Sequence, residues 1–168
     1  MKQYTVFFSH GKESGPNGRK ILALAAIAKS FGLKTEAPSY EGMEQGRDRI
    51  AKLISLAENT ENLILVGSSM GAYISSVASE SLKPAAVFLL APAFYIPGYE
   101  IQEPVIHSPK TEIVHGWNDE LIPASAVFRY AEKFQIPLHL LPSGHRLENV
   151  IPELERLFRS FLESMIQN

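Results

Sequence analysis

No cysteine occurs in the 168 residues, which excludes a disulfide framework, a thiol nucleophile and any cysteine-held zinc or iron–sulfur centre. Blocks of like charge are missing too. The 16 basic and 18 acidic residues are scattered to a formal charge of −2, without the basic footprint of a nucleic-acid or membrane-surface binder. No run approaches the roughly 18 apolar residues that span a bilayer. The opening MKQYTVFFSHG meets His10 and Gly11 too soon for the apolar stretch and cleavage site of a secretory leader. Neither H-E-x-x-H nor a Cys/His cluster marks a metal site. The expectation is a soluble, cytoplasmic chain that handles a small-molecule partner, without nucleic acid, membrane, metal or cofactor.

What is present is enough apolar material, 45% of the residues, for one continuous core, so residues 1–168 are expected to form a single domain. Six short apolar runs read as strands: 4–8, 34–38 (the weakest), 63–67, 86–91, 111–115 and 137–141. Near-continuous apolar runs suit a parallel sheet covered on both faces. Helical patterns fall between them. Residues 17–31 end at Gly32; 44–58 place Ile50, Leu53, Ile54 and Ala57 on one face; 70–81 and 124–134 follow. Residues 150–166 carry Leu154, Leu157, Phe158, Phe161, Leu162 and Met165 at helical spacing. Alternating strand and helix predict βαβ units and a doubly wound sheet with helices on both faces, whose ligands bind beyond the carboxyl ends of the strands. The link 92–110, with four prolines and no helical period, reads as a loop over that edge.

Three strand-end loops carry chemistry. Gly67-Ser68-Ser69-Met70-Gly71 matches G-x-S-x-G between a strand and a helix, the context of a nucleophile elbow. The register selects Ser69 as the reacting group and leaves Ser68 to the turn. A plain Gly/Ser-rich turn is the alternative, and chance gives about 0.07 such matches in a chain of this composition. A serine hydroxyl needs a base, and the base needs a carboxylate to fix its tautomer. HGWNDELIP, after the fifth strand, supplies Asp119, with Glu120 as an adjacent competitor. LPSGHRLEN, after the sixth, supplies His145. The other histidines fit the base less well: His139 lies within a strand, His107 in the irregular link, and His10 and His115 in strand-end turns. Oxyanion donors are expected from the backbone N–H of Met70 and from the loop after the first strand, where the Lys12 N–H is preferred and Gly11 is the alternative. That loop holds Gly11, Gly15 and Gly18 but fits neither phosphate-binding glycine pattern.

Taken in chain order, the His-Gly loop at 10–12, the elbow at 67–71, HGWNDELIP at 115–123 and GHRL at 144–147 resemble the α/β-hydrolase superfamily, specifically its small esterase-like members. The resemblance implies a cofactor-free serine hydrolase of an ester, thioester or amide. It also implies a mostly parallel six-stranded sheet in the order 2-1-3-4-5-6 and no cap domain, because only the short link 92–110 follows the fourth strand. Phe94 and Tyr95, with Ile96 and Tyr99, are candidates to wall an acyl pocket. Lys12 and Arg146 bring two cations beside the site, which would favour an anionic substrate unless both side chains point to solvent. The rival functions are a hydrolase-fold protein that acts through a protein-binding surface, and a peptidase or acyltransferase with the same three residues.

Overall fold

The computed structural model describes residues 2–166. Six strands, β1 (Thr5–Ser9), β2 (Lys34–Glu36), β3 (Leu63–Ser68), β4 (Ala86–Leu90), β5 (Thr111–Gly116) and β6 (Leu138–Leu141), form one sheet in the order β2-β1-β3-β4-β5-β6. Every neighbouring pair is parallel. The order reverses at β1 and β3, and the loops that follow those two strands lie side by side at the carboxyl edge. That switch point is where a doubly wound sheet opens a crevice for a ligand.

Five helices cover the sheet: α1 (Arg19–Ser30), α2 (Gly46–Ala57), α3 (Met70–Leu82), α4 (Ala124–Phe134) and α5 (Ile151–Ile166), the last preceded by a 3-10 turn at Glu148–Val150. Successive strand residues point to opposite faces. Val6, Phe8, Ile64, Val66, Phe88 and Leu90 therefore meet α1 and α5, where Leu24, Phe158 and Phe161 are fully buried. Phe7, Leu65, Val87, Leu89 and Ile113 meet α2, α3 and α4 through Leu53, Ile74, Val127 and Tyr130. The central strands β3 and β4 are buried throughout, as continuous apolar runs require. The edges differ from that expectation: β2 alternates exposed and half-buried residues, and β6 is half-buried along its length, because each has a neighbour on one side only.

Helix ends follow local chemistry. At the end of α1, Gly32 takes φ +73°, the left-handed conformation that lets the chain turn into β2. The link between β4 and β5 is irregular, and it lies over α3 and α4. His107 N–H donates to Ser79 Oγ at 2.9 Å, Tyr130 Oη donates to the Pro104 carbonyl at 2.5 Å, and the Tyr73 and Tyr99 rings stand 4.4 Å apart. Among the described residues, no helix is long and apolar enough to cross a membrane.

Candidate active site

The peptide chain turns from β3 into α3 at Ser69, a non-glycine residue held at φ 56°, ψ −117°. Such a conformation is costly for a residue with a Cβ and persists only where its surroundings enforce it. Here the Ser69 N–H donates to the Leu90 carbonyl at 2.9 Å, and the Ser69 carbonyl accepts from the Ala72, Tyr73 and Ala93 amides. The flanking glycines permit the close packing. A Cβ on Gly67 would sit 2.4 Å from the Gly71 carbonyl oxygen, and one on Gly71 would sit 1.9 Å from the Ser9 carbonyl oxygen. Ser68 ends β3 as a buried residue in register with Leu90.

From that turn a chain of hydrogen bonds crosses three loops. Ser69 Oγ lies 2.8 Å from His145 Nε2, and His145 Nδ1 lies 2.8 Å from Asp119 Oδ2. The carboxylate is acceptor-only, so Nδ1 carries the proton and Nε2 presents its lone pair to the serine hydroxyl. Asp119 is itself held: Oδ1 accepts the Leu121 and Ile122 amides at 2.9 and 2.8 Å. Burial alone would raise its pKa, but the bond from His145 and the two backbone amides outweigh burial and hold the carboxyl below the ordinary aspartate value. Glu120 takes a different place, accepting the backbone N–H of His145 at 3.3 Å. Beneath Asp119 lies His115, fully buried, which donates from Nε2 to the Ile122 carbonyl at 2.9 Å and stands 3.4 Å from Asp119 Oδ2. Burial, opposed by the Ile122 bond, lowers the His115 pKa, so the ring is neutral at neutral pH.

The loop after β1 is fixed by a buried polar network. Tyr40 N–H donates to His10 Nε2 at 3.0 Å, which leaves Nδ1 as the donor to the Gly11 carbonyl at 2.8 Å. Arg49, only 3% exposed, adds a second bond to that carbonyl from a guanidinium nitrogen at 3.2 Å, while its Nε binds the Met43 carbonyl at 2.8 Å. Carbonyl and N–H point to opposite sides of a trans peptide. Anchoring the Gly11 carbonyl therefore turns the Lys12 N–H the other way, and Gly11 and Lys12 both line the cavity over Ser69. Gly11's own N–H is committed, donating to Ser14 Oγ at 3.0 Å, which removes it as the alternative oxyanion donor. The Met70 amide opens α3 and has no acceptor among the described residues.

The cavity over Ser69 has a volume of about 270 Å³ and is walled by the β1–α1 loop, the start of α1, Leu121, and the β6–α5 loop with His145 and Arg146. One expectation is corrected here. Phe94 and Tyr95 do not line it. Phe94 is 1% exposed and packs its ring 4.3 Å from that of Tyr130, and Tyr95 Oη donates to Glu103 at 2.7 Å, because the 92–110 link packs over α3 and α4. The Lys12 ammonium is turned to Glu44 at 3.4 Å, with both side chains exposed, and Arg146 is exposed at the cavity edge. Sequence reasoning missed Arg49 and Lys20, a half-buried cavity residue on the first turn of α1. No cluster of three His, Asp or Glu side chains among the described residues is placed to hold a metal ion.

Comparison with known proteins follows the same line. No family model matches the sequence, and no curated protein matches it either. A solved protein of Xanthomonas campestris pv. campestris assigned to the hydrolases of the α/β superfamily is 30% identical, with 97% of this chain and 99% of that one covered at a TM-score of 0.89. This chain belongs to the α/β-hydrolase superfamily. Two other solved neighbours share the fold at lower identity. An α/β serine hydrolase without a lid, also from X. campestris, is 16% identical at a TM-score of 0.76, covering 96% of this chain and 82% of its own. Est1E from Butyrivibrio proteoclasticus is 14% identical at 0.79, covering 99% and 89%. No helix or strand lies between β4 and β5 in this α/β hydrolase, so no cap follows β4 and the cavity opens directly at the carboxyl edge.

Proposed function

We propose that this α/β hydrolase is a serine hydrolase that cleaves a small carboxylic ester or thioester through an acyl-enzyme intermediate. The observation that carries the reading is the continuous hydrogen-bonded line from Ser69 Oγ through His145 to Asp119, 2.8 Å at each step, at the floor of an open cavity. Ser69 Oγ attacks the carbonyl carbon while His145 Nε2 takes its proton. Asp119 keeps the imidazole in the required tautomer and stabilises its cationic form. The resulting oxyanion is received by the Met70 and Lys12 amides. Collapse breaks the bond to the leaving group, which takes the proton back from Nε2 and departs, leaving the acyl group on Ser69. Water then attacks the acyl carbon, its proton passing to His145 and on to Ser69 as the acid leaves.

Pre-steady-state mixing with a 4-nitrophenyl ester tests this route. A burst of nitrophenolate approaching one equivalent per protein, followed by slower turnover, is expected where deacylation limits. No turnover of short 4-nitrophenyl or thioester substrates would favour the rival role, in which the fold serves as a protein-binding module.

The Arg49 network makes a separate prediction. Arg49→Met leaves the Gly11 carbonyl with one anchor, so the Lys12 amide loses its fixed direction. The expected outcome is a fall in kcat of about 10- to 100-fold, with KM changed far less, because the oxyanion exists only beyond the ground state. Arg49→Lys should not restore kcat, since one ammonium cannot span both the Met43 and Gly11 carbonyls as the guanidinium fork does.

A further inference from the structure

The wall of the cavity that holds Ser69 and His145 includes a lysine whose ammonium has no hydrogen bond or salt bridge among the described residues. That residue is Lys20, half-buried on the first turn of α1. Lys12, also on the cavity wall, is by contrast paired with Glu44. The residues that line the wall include Arg19, Lys20 and Arg146, besides Lys12, whose ammonium is turned to Glu44, and two acidic residues, Glu13 and Glu148. An ammonium partly withdrawn from water with carboxylates nearby but none in direct contact is costly, and a ligand anion that enters the cavity and pairs with it offsets that cost.

We propose that Lys20 makes this cavity selective for substrates carrying a small anionic group, a carboxylate above all, close to the scissile carbonyl. The cavity's volume, about 270 Å³, suits a short acyl or alcohol part with one such group rather than a long chain. Ile21 and Leu121, also on the wall, supply apolar contact for the intervening carbons. The proposal rests on the serine-hydrolase reading for the reaction, but the binding preference stands on the cavity itself.

The charge on Lys20 is poised as well. Burial pushes its pKa down to about 8, against the attraction of Glu148 and Asp119 and with the repulsion of Arg146. Glu13 and Arg19 share the cavity wall with it, and Lys12 is held by Glu44. A lysine is cationic below its pKa, so anion selectivity should be full near pH 7 and fade as pH rises through about 8.

The test uses matched ester pairs: 4-nitrophenyl esters whose acyl chain ends in a carboxylate or in a methyl group, and the acetates of 3-hydroxybenzoate and of 3-methylphenol. Within a pair, titration of His145 affects both members and cancels in the ratio of kcat/KM. Wild-type protein should favour the anionic member of at least one pair. Lys20→Met should lower that ratio by about tenfold or more, and Lys20→Arg should retain most of it, as expected for loss and retention of a charge-assisted contact. The pair that responds tells whether the anion sits on the acyl or the leaving-group side.

Binding to Ser69→Ala protein, read by calorimetry with the same uncleaved esters, separates this inference from the reaction. If the anionic ester binds more tightly there and Lys20→Met abolishes the difference, the Lys20 contact stands even in a protein that turns over no ester. Equal binding of both members, or a selectivity ratio unchanged by Lys20→Met and by pH across 7 to 9.5, overturns it even if hydrolysis is brisk.

Discussion

Ser69→Ala and His145→Ala are each expected to lower kcat for a short ester by about 10⁴- to 10⁶-fold, and the double variant should be no slower than the slower single one. The reason is geometric. The hydroxyl and the imidazole share one hydrogen bond of 2.8 Å, so removal of either leaves the other without a task. Asp119→Asn should lose about 10⁴-fold, because an amide at that place favours the opposite imidazole tautomer. Glu120→Gln should cost far less, since Glu120 touches only the His145 backbone N–H. Steady-state kinetics on the five variants check this ordering. Equal losses at Asp119 and Glu120, or additive losses at Ser69 and His145, would contradict it.

The second large effect concerns stability. Gly71→Ala is expected to destabilise the protein by about 3 kcal/mol or more, beyond the usual range for an overpacked methyl. The new Cβ would fall 1.9 Å from the Ser9 carbonyl oxygen and 2.8 Å from that of His10, and both contacts are with backbone, which cannot swing aside as a side chain can. Relief requires α3 to move away from the end of β1. That motion separates the Met70 amide from the Lys12 amide, so activity should fall with stability. For a chain of this size the loss corresponds to a drop of about 6–12 °C in Tm. Gly15→Ala is the matched control: its Cβ would meet nothing within 4 Å, and Tm should hold or rise slightly. A Gly71→Ala protein melting with wild type would mean that β1 and α3 do not pack as described.

The strands and helices were legible because their signals are local. Apolar runs such as LILVG and AVFLL became fully buried central strands, and the 3.6-residue spacing of Leu154, Phe158, Phe161 and Leu162 became the buried face of α5. Ser69, Asp119 and His145 were legible because strand-end loops of a parallel sheet share one edge, and the structure brings the three into one line there. What escaped the sequence depends on partners distant along the chain. Arg49 stands beside the apolar face of α2 and reads as its polar flank; its burial follows from the carbonyl of Gly11, 38 residues away. Phe94 and Tyr95 misled for the opposite reason. Aromatics in a proline-rich link suggest a pocket wall, but the link's direction is set by Tyr130, Ser79 and Tyr73 on helices the sequence does not orient. Lys20 has the pattern of any helix-surface lysine, and only the packing of the β6–α5 loop beside α1 encloses it.

The mechanism turns on which of the two adjacent serines reacts. A fluorophosphonate probe incubated with the folded protein, followed by proteolysis and mass-spectrometric mapping, should place a single phosphonyl group on Ser69, with labelling lost in His145→Ala and unchanged in Ser68→Ala. Label on Ser68, labelling that survives removal of His145, or no label on folded protein that also turns over no ester would contradict it.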